Sequence, residues 1–336
     1  MIINKNKFIK YNKKILTAII PVFNCEKFIK SSIRSIQNQN ISEIEIILIN
    51  DFSKDNSLKI IEQLRKEDSR ITIINNKKNM GTLYSRSIGA LSAKGQYIFS
   101  LDNDDMFFDM DLFDSIYKNA KKDNFDIIGF KSISIQKEYN YNIRKYEDNP
   151  YSKKKNNLIL YQPKLGIYTI YKNGKYRQND INIWTKCIKA YIYKKAVNSL
   201  GILRYSSFMS WAEDTSIIFI IFNYAQSFKF INKYGIIHIC SISTASYQQP
   251  KKNKLFGELF LLNVIFDFSN NKFKYLTILY VLKIKKRYKL NKFKFEKNSL
   301  FLKFILKKIL KSKFIKKLIK KEIFKEFNNF NIKKLN

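Results

Sequence analysis

Nine residues near the start of the chain, ILTAIIPVF (Ile15–Phe23), contain one hydroxyl side chain and no charge. The run is too short for a buried helix, is rich in isoleucine and ends close to a proline. Those features suit a strand covered on both faces, the situation of a strand inside a parallel sheet. The theme repeats: Ile44–Ile49, Ile71–Ile74, Tyr97–Leu101 and Asp126–Phe130 read as further strands. Between them lie helical patterns: the stripe Phe28, Ile29, Ile33, Ile36, which Asn24 is expected to cap, then Leu58–Leu64, Gly81–Ala93 and Leu112–Lys121. Strand–helix alternation of this kind specifies an open α/β sheet. Further on, Thr215–Ala225 reads as a sharply apolar helix and Phe228–Ile239 as a strand pair.

Open α/β sheets bind ligands outside the carboxyl ends of their strands. Carboxylates stand at two such ends. Asp51 follows the second strand, and Asp102-Asn103-Asp104-Asp105 follows the fourth. Three carboxylates in four residues repel one another unless they share a cation, and hard oxygen ligands suit Mg²⁺ or Mn²⁺ with phosphate completing the shell. An acidic turn that caps the next helix is the plainer reading. Asp51 is likewise open to two readings, accepting hydrogen bonds from a ribose or base N–H, or, together with Asp55, capping the helix at Asn56–Arg65. Glu213-Asp214 opens an apolar helix in an acid-poor region, as a general base or as carboxylates placed to suit the helix dipole.

The chain has 336 residues with 63 Lys and Arg against 27 Asp and Glu, a formal charge of +36. The basic residues are 55 Lys and 8 Arg, and the abundance of Lys, Asn and Ile fits A/T-rich coding as well as it fits a partner. With 45% apolar residues the chain as a whole is not disordered. Three distant cysteines (Cys25, Cys187, Cys240) give neither a disulfide framework nor a zinc spacing, and a single histidine excludes a His-rich metal site. No run of 18 apolar residues is present, and the N-terminus lacks an apolar signal core, so a cytoplasmic setting is expected. From Thr215 onward 27 basic residues face 5 acidic ones. Within Leu300–Lys321, Phe301, Ile305, Ile309 and Leu318 form an apolar stripe among nine lysines. The stripe is expected to lie peripherally on an anionic membrane through 300–327, or else to pack on the body of the protein.

Four stretches fall in a familiar order: IIPVFN (Ile19–Asn24), ILINDFSKDNS (Ile47–Ser57), NMGTLYSRSIGALSAKGQYIFSLDNDD (Asn79–Asp105) and WAEDTSIIF (Trp211–Phe219). Through them the chain resembles family 2 glycosyltransferases, inverting nucleotide-sugar enzymes of GT-A fold, over roughly residues 14–245. The resemblance implies that Pro21, Phe23, Asp51 and Arg86 serve the nucleotide, that Asp102 and Asp104 hold Mg²⁺ or Mn²⁺, with Asp102 also touching ribose, and that Asp105 supports them. It implies Asp214 as catalytic base with Glu213 beside it, and Trp184, Lys186 and His238 on the acceptor side. One departure is clear: Phe52 stands where the family carries a small residue after Asp51.

The expected architecture is a GT-A type open, mostly parallel sheet flanked by helices. Residues 1–135 form the nucleotide-sugar half, 136–180 a connector, 181–247 the acceptor half and 248–336 a basic helical extension. The partners implied are a nucleoside-diphosphate sugar, a UDP-sugar foremost, and a glycan or lipid-linked acceptor. Nucleic acid is not expected, because exposed carboxylates repel phosphate. A non-catalytic basic nucleic-acid binder is the alternative from another class. A sugar nucleotidyltransferase is the nearer one, but IIPVFNCEKF lacks that enzyme's Gly-rich loop.

Overall fold

The computed structural model describes residues 15–136, 182–201 and 212–240, the short segments 143–144, 159–161, 168–170 and 176–178, and isolated positions between 254 and 268. In chain order these give β1 (Leu16–Val22), α1 (Ile29–Gln37), β2 (Ile44–Asn50), α2 (Ser57–Glu67), β3 (Ile71–Asn75), α3 (Thr82–Ser92), β4 (Tyr97–Ser100), β5 (Met106–Phe107), α4 (Leu112–Asp123) and β6 (Ile127–Gln136). Four short strands follow, β7 (Ile143–Arg144), β8 (Ile159–Tyr161), β9 (Tyr168–Ile170) and β10 (Tyr176–Gln178). The described chain closes with a 3-10 turn at Ile183–Thr185, β11 (Lys186–Lys189), α5 (Ala190–Leu200), α6 (Glu213–Tyr224) and β12 (Ser227–Cys240).

The main sheet runs β3-β2-β1-β4-β11-β6-β12-β5, with β7 on β6 and β8 on β12; β9 and β10 form a separate ribbon. β3, β2, β1 and β4 are parallel throughout. β11 then enters antiparallel between β4 and β6, and β12 returns parallel to β6 over the longest register of the sheet. Both faces are covered, as the uncharged first strand requires. Leu16, Ala18, Ile20 and Val22 of β1 point into one core with Ile29 and Ile33 of α1 and Phe113 of α4. Ile19 points into the other with Ile47, Ile49, Leu83 and the apolar faces of α5 and α6. Each such isoleucine contributes about 1.5–3 kcal/mol by leaving water. Phe260, Leu261 and Val264 are buried in that second core.

Two glycines set close approaches. A methyl group on Gly89 of α3 would lie 2.6 Å from Ile19 Cγ2 and 2.8 Å from Ile49 Cδ1, so α3 rests directly on β1 and β2. Gly235 does the same for β12, where a Cβ would meet Leu112 Cδ2 and Phe130 Cδ2 at 2.6 Å.

Three expectations need correction. Phe228–Ile239 is one strand, β12, and not a pair: the stretch between Phe230 and Ile236 is taken up by register shifts against β6. Asn24 does not cap α1, whose N-cap is Phe28 with no side-chain bond; Asn24 Oδ1 instead accepts the Lys54 N–H at 2.8 Å. Asp51 does not cap α2, whose N-cap is Asn56 with no side-chain bond; Asp55, one residue earlier, accepts the Ser57 N–H at 3.0 Å. Most of 136–180 and all of 300–327, including the proposed membrane stripe, lie outside the described residues. Among the described residues no helix is long and apolar enough to cross a membrane.

Candidate active site

The strand ends β1, β2 and β4 stand side by side because their registers are parallel and in step, with Ile19 opposite Ser100 and Val22 opposite Asn50. Asp51, one residue past β2, is 3% exposed. Its Oδ1 accepts from Asn76 Nδ2 (2.8 Å) and from the Met80 N–H (2.7 Å), and its Oδ2 accepts from the Gly81 N–H (2.8 Å). Gly81 has φ +85 and opens α3. Asp51 thus fixes the entry into the helix that carries Arg86. Asn103 donates to the Pro21 carbonyl at 3.1 Å, which ties the acidic turn after β4 to the end of β1. Phe23 follows that end with its ring 42% exposed.

Arg86 is 3% exposed, held at this depth by the glycine one turn later. Its Nη2 bonds Asp102, its Nη1 bonds Asp214, and Glu213 Oε1 lies 3.7 Å from the same Nη1. One guanidinium from α3 therefore joins the turn after β4 to the start of α6, 128 positions away. Burial works against the charge of Arg86, and Asp214, Asp102 and Glu213 more than reverse that effect, so its pKa rises. Ala212 ahead of α6 has φ +62, a conformation alanine adopts at a cost of about 1–2 kcal/mol. That turn delivers Glu213 and Asp214 to Arg86. Tyr193 of α5 is fully buried beside the same cluster, and burial pushes its phenol up.

The carboxylates outnumber their cations. Burial pushes Asp214 up to about 8 against the pull of Arg86, with Glu213 and Asp102 adding to the rise and Lys186 opposing it. Glu213 is raised for the same reason. Asp104 is pushed to about 7 by burial and by Asp105 and Asp102. Asp105 is fully buried and raised by it, although His238 Nδ1 sits 2.9 and 3.0 Å from its oxygens and the Ile239 N–H donates at 3.1 Å. His238 in turn stacks on Trp184, centroids 4.6 Å apart at 16°. Lys186, 1% exposed, donates from Nζ to the Asn182 carbonyl at 2.6 Å.

Asp102, Asp104, Asp105, Glu213, Asp214, Arg86, Trp184, Lys186 and His238 thus belong to one connected cluster, with Pro21 joined to it through Asn103. Asp51 reaches it through the α3 entry. Asn76, Asn103 and Tyr193 support these groups. Asn103 stands between the aspartates, but nothing in spacing marks Asn76 or Tyr193. Among the described residues no three His, Cys, Asp or Glu side chains form a complete metal cage. The open donors are those of Asp104 and the oxygen of Asp102 that Arg86 leaves. Two carboxylates with hard oxygens beside surplus negative charge fit a divalent cation that takes its remaining ligands from phosphate and water.

Residues 17–182 match the family model Glycosyl transferase family 2. The chain is 35% identical over 128 residues to an uncharacterized glycosyltransferase, EpsJ, of Bacillus subtilis (strain 168), which takes in 37% of each chain. It is 34% identical over 91 residues to GalNAc(5)-diNAcBac-PP-undecaprenol beta-1,3-glucosyltransferase of Campylobacter jejuni, 27% of this chain and 29% of that one. The matched stretch therefore spans about a third of the length of these relatives. The crystal structure of S. aureus TarS 1–349 in complex with UDP-GlcNAc superposes with a TM-score of 0.63 at 15% identity, over 88% of this chain and 79% of that one. That likeness shows the fold, an α/β sheet of GT-A type.

Proposed function

We propose that this chain, a member of glycosyl transferase family 2, moves a sugar from a nucleoside-diphosphate sugar to a hydroxyl of a glycan or lipid-linked acceptor, with inversion at the anomeric carbon. The observation that carries the reading is the meeting of two acidic groups on Arg86: Asp102 from the sheet edge where nucleotides bind, and Asp214 from the far half of the chain. One group serves the donor and the other serves the acceptor.

Asp214, side chain 23% exposed, is open to an incoming hydroxyl. It takes the proton from that oxygen as the oxygen attacks the anomeric carbon from the side opposite the diphosphate, and a single displacement inverts the configuration. Arg86 and Glu213 hold Asp214 in place. Asp51, Pro21 and Phe23 shape the nucleoside pocket, and Arg86 fixes Asp102 toward the diphosphate. Asp104 and Asp102 would hold Mg²⁺ or Mn²⁺, with Asp105 behind them. A bound divalent ion would supply charge neutralisation for the leaving diphosphate. Trp184, Lys186 and His238 lie toward the acceptor side. In this reading residues 1–135 serve the donor and 181–247 the acceptor.

A UDP-sugar is the proposed donor, supported by the TarS complex with UDP-GlcNAc. A lipid-linked acceptor is supported by the C. jejuni relative, named for a PP-undecaprenol compound. The charge of +36 and the stripe at 300–327 support peripheral contact with an anionic membrane on its cytoplasmic side. The test incubates the full chain with nucleoside-diphosphate sugars, Mn²⁺ and either short glycans or polyprenyl-pyrophosphate glycans. Release of nucleoside diphosphate that needs the ion and is abolished in Asp104→Ala is expected. Release that survives both chelation and Asp104→Ala would overturn the metal assignment.

A further inference from the structure

Phe52 combines two unfavourable features. Its φ is +65, the left-handed region that costs a non-glycine residue, and its ring is 39% exposed. Neither feature is compensated by burial within the protein. Strain of this kind persists where the surroundings over-determine it, and it points to a use outside the folded chain. A lone exposed apolar residue would need no explanation, but Phe52 is not alone. It directly follows Asp51 at the carboxyl end of β2. Phe23, also exposed, at 42%, follows the carboxyl end of the adjacent β1. The two loops are tied together: the Asn24 N–H donates to Ser53 Oγ at 3.3 Å and the Lys54 N–H to Asn24 Oδ1 at 2.8 Å. Asn24 is itself at φ +45. The Lys54 ammonium sits 3.6 Å from the centroid of the Phe52 ring. A cation at that distance is attracted to the ring face by its quadrupole.

We infer that Phe52 is a donor-binding residue that stacks on the heterocyclic base of the donor nucleotide, making with Phe23 an aromatic rim at the carboxyl ends of β1 and β2. The inference rests on the nucleotide-sugar reading and adds a contact to it. An exposed aromatic face takes a flat π-system of any base, with a contribution worth about tenfold in affinity.

Calorimetric titration of the full chain with UDP in the presence of Mn²⁺ tests this, with inorganic pyrophosphate as a probe that carries no base. Phe52→Gly is expected to weaken UDP about tenfold and to leave pyrophosphate unchanged. Its melting temperature should hold or rise, because glycine adopts φ +65 freely. Phe52→Leu keeps an apolar side chain on the strained backbone and should also weaken UDP. Phe52→Tyr should restore it. UDP affinity unchanged in Phe52→Gly overturns the stacking role while leaving the donor reading intact. Pyrophosphate weakened as much as UDP also overturns it, since the loop would then act through the phosphate site. Wild-type protein that binds none of UDP, GDP, CDP and ADP overturns the donor reading and this inference together.

Discussion

Asp51, buried one residue past β2, and Asp214, half-buried at the start of α6, are carboxylates whose surroundings prepare them for opposite work. Asp51 is satisfied by neutral donors, two backbone N–H groups and one amide, that belong to the rigid entry of α3. Asp214 is held by one arginine that it shares with Asp102 and Glu213, and it is pushed up to about 8. A carboxylate with its own donors becomes part of the scaffold. A carboxylate that competes for a charge is left reactive, and a pKa near the working pH is what a general base needs. The same contrast separates the halves of the molecule. The parallel β3-β2-β1-β4 half is locked by in-step registers and ends in Asp102, Asp104 and Asp105, whereas the start of α6 brings Glu213 and Asp214 across to Arg86.

Removing the shared charge breaks the comparison most severely. Arg86→Ala leaves three neighbouring carboxylates without their buried cation, and breaking such a pair costs about 3–5 kcal/mol. Urea unfolding at pH 8 should show a loss of that size, smaller at pH 6 where Asp214 binds a proton. Sugar transfer should vanish at both pH values. A variant that unfolds like wild type at pH 8 would show that Arg86 does not neutralise the cluster.

Asp51→Ala sharpens the contrast from the other side. It strands the Met80 and Gly81 N–H groups, a penalty of about 1–3 kcal/mol. Thermal unfolding should register the loss, and turnover per folded molecule should fall far less than in a variant of the base. Equal losses of turnover would make Asp51 chemical and not only architectural.

The smallest effect belongs to a carboxylate remote from the site. Burial raises Asp68, but the hydrogen bonds from Arg70 and Gln37 outweigh it and hold the group at about 2. A depressed acid lends stability above its unfolded pKa near 3.9, and that stability fades as pH falls toward 2. Asp68→Asn should therefore lower stability at pH 7 by less than about 1 kcal/mol and flatten the stability profile between pH 4 and 2. An unchanged profile would mean that Arg70 contributes nothing there.

The parallel half was legible in the sequence because its strands are continuous apolar runs, and its helices show one clean stripe each. Asp102 to Asp105 and Glu213-Asp214 were legible as sites because charge at the end of an apolar element is rare. Other features escaped for physical reasons. β11 is four residues with a lysine at each end, Lys186-Cys187-Ile188-Lys189, and β5 is only Met106-Phe107, so neither carries a period. The unity of β12 depends on Gly235 fitting against Leu112 and Phe130, a tertiary contact that no local pattern encodes. The salt link between Arg86 and Asp214 joins residues 128 apart in sequence. Arg86 was placed by resemblance near the diphosphate, and its burial among carboxylates emerges only once α3 is laid on the sheet.

The contrast between a structural and a reactive carboxylate is tested most directly by the turnover of Asp214→Asn as a function of pH, measured beside the affinity for nucleoside diphosphate. Wild-type turnover should climb as pH rises through about 8, because the base works only when it has lost its proton and burial holds that proton on. The asparagine variant should lose roughly 10²–10⁴-fold in turnover, show no such climb, and bind the nucleoside diphosphate as wild type does. Turnover near wild type with the same climb would contradict the role of Asp214, and so would a loss of nucleotide affinity that accounts for the whole effect.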